Sequence, residues 1–285
     1  MSRPRILVID GNVAEIRARL RAALGYDSGE GYARVLRRID AGLEIDIVRP
    51  ADAEPRLPAG VGLADYDGVT MTGSALNIYH GGAPVARQIE LARAVLEAGV
   101  PFFGSCWGLQ VCVTAAGGEV RANPRGREFG FARRVLLRKA GREHPLFAGK
   151  PVVFEAPTIH RDEAASLPAG AEILAANDYG VQAVAFRHGS GTFWGVQYHP
   201  EYDYIDLAAT AERYGQTLVA EGMFRDLPAL AAFAAEMREL QADPQNASLL
   251  WRHGLGAAMR SESLRLLEIR NWLDAQVRPR VGRHV

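Results

Sequence analysis

Cysteine is scarce in this sequence: 285 residues contain two, Cys106 and Cys112. If one helix carries both, their separation turns them to different faces. They therefore make neither a disulfide framework nor a metal-binding spacing. The expectation is a reduced, cytoplasmic setting and a chain with no metal and no cofactor. Net charge is missing as well, because Lys+Arg and Asp+Glu both number 33. No overall field draws the chain to nucleic acid or to an anionic membrane. No stretch approaches the roughly 18 apolar residues of a membrane span. The opening Met1-Ser2-Arg3-Pro4-Arg5 leads into a strand rather than an apolar signal segment. Internal repeats, low-complexity tracts and glycine–serine linkers are absent. So is a phosphate-binding G-x-x-x-x-G-K-S/T loop, and a nucleotide-driven acceptor reaction is not expected from this polypeptide alone.

What remains is ordinary globular composition, 48% hydrophobic and 23% charged, at a length that suits one large α/β domain with an addition, or two domains. Arg5 to Asp10 is a short continuous apolar run, the pattern of a parallel strand buried on both faces. Val13 to Leu24 and Tyr32 to Ile39 read as helices, with Gly25 to Gly31 breaking between them. Leu43 to Val48 is a second strand, Asp67 to Ser74 a third that runs into a small-residue loop, and Pro84 to Ala98 a helix. Alternating strands and helices predict a parallel sheet with ligands at the strands' carboxyl ends. Beyond Gly117-Gly118 the pieces become short and strand-like: 132–137, 152–154, 172–175, 181–186 and 192–196. Gly, Pro and Asn-Asp turns separate them, so this portion is expected to be partly antiparallel. From Tyr204 onward the pattern is helical.

The chemistry centres on Gly104-Ser105-Cys106-Trp107-Gly108, where the apolar run Val100–Phe103 passes into the helix-compatible Leu109–Ala116. This is G-x-C-x-G, the thiol version of a nucleophile elbow. A strand turning sharply into a helix leaves no room for Cβ atoms beside the nucleophile, hence the two glycines. At a helix N-terminus, free amides and the dipole favour a thiolate. A cysteine nucleophile needs a base, and the base needs an orienting group. Of seven histidines, His199 stands out. It ends the apolar run 193–198 and is followed by Pro200 and Glu201, so an extended backbone can return the carboxylate to the imidazole.

Together, Gly104-Ser-Cys-Trp-Gly-Leu-Gln110 and Gly195-Val-Gln-Tyr-His-Pro-Glu201 resemble the two signature motifs of class I, triad-type glutamine amidotransferases. The chain looks most like the GMP-synthase-type glutaminase domain in its stand-alone form. His160-x-Asp162, Leu167–Gly170 and Gln182-Ala183 resemble the corresponding segment there. The resemblance implies an α/β, flavodoxin-like fold: a central, mostly parallel sheet with flanking helices, here with a C-terminal helical extension. The resemblance covers roughly residues 5–204, so residues 1–204 are expected to be the amidotransferase domain. The apolar stripes of 205–285, which lie outside the resemblance, predict a helical extension packed on that domain. The resemblance also implies a mechanism, with Cys106 attacking a glutamine side-chain amide, His199 handling the proton and Glu201 orienting His199. The oxyanion would rest on backbone N–H groups of Trp107 and of the Gly73-Ser74 loop, and Gln110 would contact the substrate. Two departures stand out. Ser74-Ala75 replaces a glycine and a proline of the family's loop, which predicts a conformation that serine adopts less readily. Arg161 occupies a place where glycine commonly sits, which predicts a narrower pocket or an added cation.

Three functions follow as expectations. The leading one is a glutamine amidotransferase releasing ammonia to an acceptor on a separate synthetase. The second is a stand-alone hydrolase of γ-glutamyl amines or peptides. The third is a catalytically silent binding or regulatory relative. The other histidines, His160 and His188 among them, are expected to stand outside the thioester chemistry. The apolar stripes of the tail must be covered by the core, by one another or by another subunit, as in a homo-oligomer. A cap over the site or a dimer surface is a further role for the pieces bearing Trp251 and Trp272.

Overall fold

The first strand sets the architecture by alternation: Ile6 and Val8 face one core, Leu7 and Ile9 the other, and all four are fully buried. A strand buried on both faces needs helices on both sides of its sheet. The structure, a computed structural model, describes residues 3–54 and 56–281; His284 lies outside the described residues. In chain order the first half contains β1 (Arg5–Ile9), α1 (Ala14–Leu24), α2 (Ser28–Ile39), β2 (Glu44–Val48), β3 (Gly68–Met71), α3 (Ala83–Glu97), β4 (Phe102–Ser105) and α4 (Trp107–Ala115). There follow β5 (Glu119–Ala122), β6 (Glu128–Leu137), α5 (Lys139–Glu143), β7 (Val153–His160), β8 (Asp162–Ser166), β9 (Glu172–Asn177), β10 (Gly180–His188) and β11 (Gly191–Val196). The helical remainder is α6 (Tyr204–Arg213), α7 (Gly215–Ala220), α8 (Leu227–Ala242), α9 (Ala247–Arg252), α10 (Ala257–Arg260), α11 (Glu262–Arg265) and α12 (Leu267–Trp272), closed by a π-helical turn at Leu273–Val277.

The main sheet has nine strands in the order β2-β1-β3-β4-β11-β10-β9-β6-β7. From β2 to β11 every neighbouring pair is parallel; from β11 to β7 every pair is antiparallel. A separate antiparallel pair, β5 with β8, lies apart from the sheet. β3, β4 and β11 are adjacent, so their carboxyl ends form one edge of the molecule, and the chemistry-bearing segments leave from there.

Sequence periodicity places the core strands well and some boundaries less well. α2 begins at Ser28, earlier than the glycine-rich stretch suggests, because Asp27 and Glu30 form a capping box. β6 and β7 are longer than the apolar pieces 132–137 and 152–154, and β5 and β8 have no counterpart in the sequence reading.

The last helices run beneath the sheet. Trp272 is buried against Phe103, ring centroids 6.0 Å apart. A Cβ on Gly68 would come within 2.7 Å of Val277 and 2.8 Å of Trp272, so that glycine makes the seat for the tryptophan. Gln276 accepts from Thr192, and Arg280 donates to the Gly99 carbonyl. These partners sit at the amino ends of β3, β4 and β11, opposite the edge that carries the chemistry. Trp272 thus caps no site and lines no exposed surface; Trp251, in contrast, is exposed. Among the described residues no helix is long and apolar enough to cross a membrane.

Candidate active site

Cys106 joins β4 to α4 with φ 53° and ψ −101°, outside the comfortable regions for an L-residue. Its amide donates to Val196 of the neighbouring β11, which pins the turn to the sheet at 2.7 Å. Both flanking glycines are needed for close approach. A Cβ on Gly104 would lie 2.6 Å from the Gly108 carbonyl carbon, and one on Gly108 would lie 2.6 Å from the Met71 carbonyl oxygen. The Cys106 thiol faces the Ile159 carbonyl at 3.5 Å. Cys112 is buried one helix face away, where burial pushes its thiol well above the usual range and leaves it inert.

His199 follows β11, with its amide held by the Pro157 carbonyl at 2.8 Å. Its Nδ1 lies 2.7 Å from Glu201 Oε1, and its ring stacks on Tyr202 at 4.0 Å between centroids. From the other side Gly73 approaches so closely that a Cβ there would lie 2.5 Å from His199 Cε1. Burial works against an imidazolium here. The Glu201 carboxylate and the neighbouring Cys106 outweigh it and raise the His199 pKa to about 10. The second Glu201 oxygen is buried and has no partner among the described residues.

The loop after β3 meets this pair. Asn12 receives the Ala75 amide on Oδ1 and gives Nδ2 to the Gly73 carbonyl. Ser74 donates its hydroxyl to the Gly11 carbonyl at 2.8 Å and accepts the Leu76 amide at 3.1 Å. Ser74 is not at positive φ, so the strain expected from serine at this position does not arise; its hydroxyl clamps the loop instead. The backbone N–H groups of Gly73, Ser74 and Trp107 find no acceptor among the described residues. Trp107 is held by its indole, which donates to Gln88 at 2.7 Å.

These residues open on a cavity of about 180 Å³ lined by Cys106, His199, Gly73, Ser74 and Gln110. Gln110 is oriented by a 3.4 Å contact of its Nε2 with Gln197. Arg161 reaches the same cavity but anchors one Nη to the Asn123 carbonyl at 2.7 Å. His160 also lines it, with Nε2 2.8 Å from the buried Glu128, so it is less remote from the chemistry than its sequence suggests. Asp162 binds Asn77 at 2.7 Å and Tyr79 at 2.9 Å, tying residues 76–80 over the mouth. The sequence reading missed Asn77, Tyr79, Arg127 and Arg213, all of which line the cavity. No motif marks them; only the tether to Asp162 and the path of α6 bring them in. Among the described residues no group of three or more His, Cys, Asp or Glu side chains is placed to hold a metal. The arrangement suits acyl transfer, with a thiol, an oriented imidazole, and free amides at a helix start beside a cavity of amino-acid size.

The family model for class-I glutamine amidotransferases matches residues 26–206. A gamma-glutamyl-L-1-hydroxyisopropylamide hydrolase from a Pseudomonas species is 36% identical over 286 residues, covering 99% of this chain and 96% of that one. The glutamine-hydrolysing GMP synthases of Streptomyces avermitilis and Thermomicrobium roseum are 35% and 34% identical over 47% and 51% of this chain. This chain matches only 23% and 25% of their lengths. Among solved structures, a glutamine amidotransferase from Thermotoga maritima superposes with a TM-score of 0.66 over 98% of this chain and 100% of that one. Its 20% identity speaks for the fold alone.

Proposed function

The chain belongs to the class-I glutamine amidotransferase family, and on that premise we propose that it hydrolyses γ-glutamyl amides of small amines as a stand-alone enzyme. The end-to-end likeness to a γ-glutamyl amide hydrolase, tail helices included, carries this reading. The ammonia-delivering alternative rests on GMP synthases matched over about a quarter of their length.

In the proposed reaction the Cys106 thiolate adds to the γ-carbonyl carbon of the substrate. The oxyanion is received by the unengaged N–H groups of Trp107 and the Gly73-Ser74 loop. Losing one such donor costs about 2.7–4 kcal/mol of barrier. His199, charged through neutral pH, gives its proton to the amine as the C–N bond breaks. A γ-glutamyl thioester remains. Neutral His199 then takes a proton from water, hydroxide adds to the thioester, and glutamate leaves as the Cys106 thiolate and the imidazolium are restored. Glu201 holds the tautomer through its 2.7 Å bond to Nδ1.

Amine and ammonia release by the purified chain tests the proposal. γ-Glutamyl ethylamide and γ-glutamyl isopropylamide should be turned over with a kcat/KM about tenfold or more above that of L-glutamine, the scale of discrimination that one or two buried methyl groups provide. A preference for glutamine, with rates rising when a synthetase partner is added, would restore the ammonia-delivering reading. An inert Cys106 toward diazo-oxo-norleucine, together with no turnover, would leave a silent binding module.

A further inference from the structure

Three arginines reach the catalytic cavity, and they differ in what they already hold. Arg127 is committed to Glu221, with Nε 2.7 Å and Nη2 3.2 Å from its two carboxylate oxygens. Arg161 anchors on a backbone carbonyl. Arg213, the last residue of α6, has a side chain with neither an ion pair nor a hydrogen bond among the described residues, and its Nε is buried without an acceptor. Its neighbour Glu212 turns away to Arg238. The Arg213 guanidinium lies over the Tyr214 ring at 4.6 Å and acts electrostatically on Tyr202, the residue stacked on His199. A cation at a helix end complements the dipole, but such a role needs only an exposed head. It does not explain a guanidinium placed over a ring, with a buried donor, in the wall that also carries Cys106.

Buried donors are normally satisfied, and one left open on a residue that lines the cavity with Cys106 points to a ligand acceptor. Resting on the proposed function, we infer that Arg213 binds the α-carboxylate of the γ-glutamyl half of the substrate. With the γ-carbonyl at Cys106, the opposite end of a glutamyl group carries a carboxylate, whose planar oxygens match a guanidinium fork. Arg213 lies beyond residues 26–206, so it is a feature of this chain's α6 rather than of the matched family segment.

L-glutamate and 4-aminobutyrate, which differ only in the α-carboxylate, are the probes. Calorimetry on the full chain should find glutamate bound about 10- to 100-fold more tightly, the usual contribution of a hydrogen bond to a charged group. Arg213→Met should erase that difference, and Arg213→Lys should keep part of it. With γ-glutamyl ethylamide as substrate, Arg213→Met should raise KM by a similar factor, while its KM for 4-aminobutyryl ethylamide stays unchanged. Equal losses on both members of a pair would mean a structural role and overturn the inference, as would no loss on either. If Arg213→Met fails to fold, Arg213→Lys is read on the same pairs. Glutamate preference that depends on Arg213, without turnover of any γ-glutamyl amide, would sink the hydrolase reading alone. Turnover indifferent to Arg213 would sink this inference alone.

Discussion

Cys106 and Arg134 are the two non-glycine residues at positive φ among the described residues, and Cys106 sits at the centre of the proposed chemistry. Holding an L-residue in such a conformation costs about 1–3 kcal/mol. An alanine there carries the same strain as the cysteine, whereas a glycine does not. Cys106→Ala should therefore abolish turnover and keep a melting point near the parent's. Cys106→Gly should also be inactive, yet more stable than Cys106→Ala by about 1 kcal/mol, the reverse of the order at an ordinary helix position. Denaturant titration of both variants checks it, and an alanine variant as stable as the glycine one would remove the strain from the account. His199 gives a pH prediction. Its folded pKa, about 10, lies above the ordinary imidazole value of 6.5, so folding holds this proton more tightly. That stabilisation is whole below pH 6.5 and drains away as pH rises toward 10. The parent's urea midpoint should fall through this window more steeply than that of Glu201→Gln, in which the imidazolium has lost a carboxylate partner. Parallel slopes would count against the ion pair. Cys106, His199 and Glu201 were legible in the sequence because a tight turn and a two-residue return impose fixed spacings. Arg213 was not, since its place depends on where α6 ends.

At the scale of elements, the elbow is a packing problem as much as a catalytic one. β4, α4 and β3 approach so closely that the added Cβ atoms would strike backbone, which cannot swing aside as a side chain can. Gly104→Ala and Gly108→Ala should each lose about 1–3 kcal/mol of stability. They should also lose turnover by about 100-fold or more, because shifting α4 moves Cys106 and the Trp107 amide together. Gly25, with open space around its Cβ position, is the contrast: its alanine variant meets only the left-handed backbone penalty and should leave turnover alone. A Gly108→Ala protein with parent activity would show that the helix can slide without disturbing the site. The same closeness explains what the sequence hid. Gly29 looks like a helix breaker, but its Cβ position lies 2.8 Å from Ile47, so it admits α2 to the sheet. The Asp27–Glu30 capping box was the available signal, and it outweighs two glycines. β5 and β8 escaped because they are short and their sequences carry no apolar alternation to read.

For the whole molecule, the question is whether the tail is an appendage or part of the folding unit. We propose the second. Trp272, Leu273 and Val277 share one buried cluster with Ile6, Val8 and Phe103, so the tail supplies one side of the core beneath the parallel strands. A buried polar contact locks it there. Glu268 on α12 takes Lys150 Nζ at 2.8 Å and the Tyr198 hydroxyl at 2.5 Å. Burial lowers the Lys150 pKa, and Glu268 opposes that effect. Tyr198 immediately precedes His199, so the tail steadies the strand end that delivers the base. Removing one member of a buried ion pair leaves an uncompensated charge and costs about 3–5 kcal/mol. Glu268→Ala should thus lose that much stability. The double variant Lys150→Met/Glu268→Leu, which removes both charges and keeps the volume, should recover most of it. Truncation after Leu240 goes further, because it uncovers the lower face of β1, β3 and β4 as well as unpairing Lys150 and Tyr198. The fragment should aggregate or refold poorly, and any soluble portion should turn over slowly with a broadened melting transition. A soluble fragment with the parent's melting point and full turnover would make the tail a separate module. A Glu268→Ala protein as stable as the parent would show that the Lys150 contact contributes little to holding the tail in place.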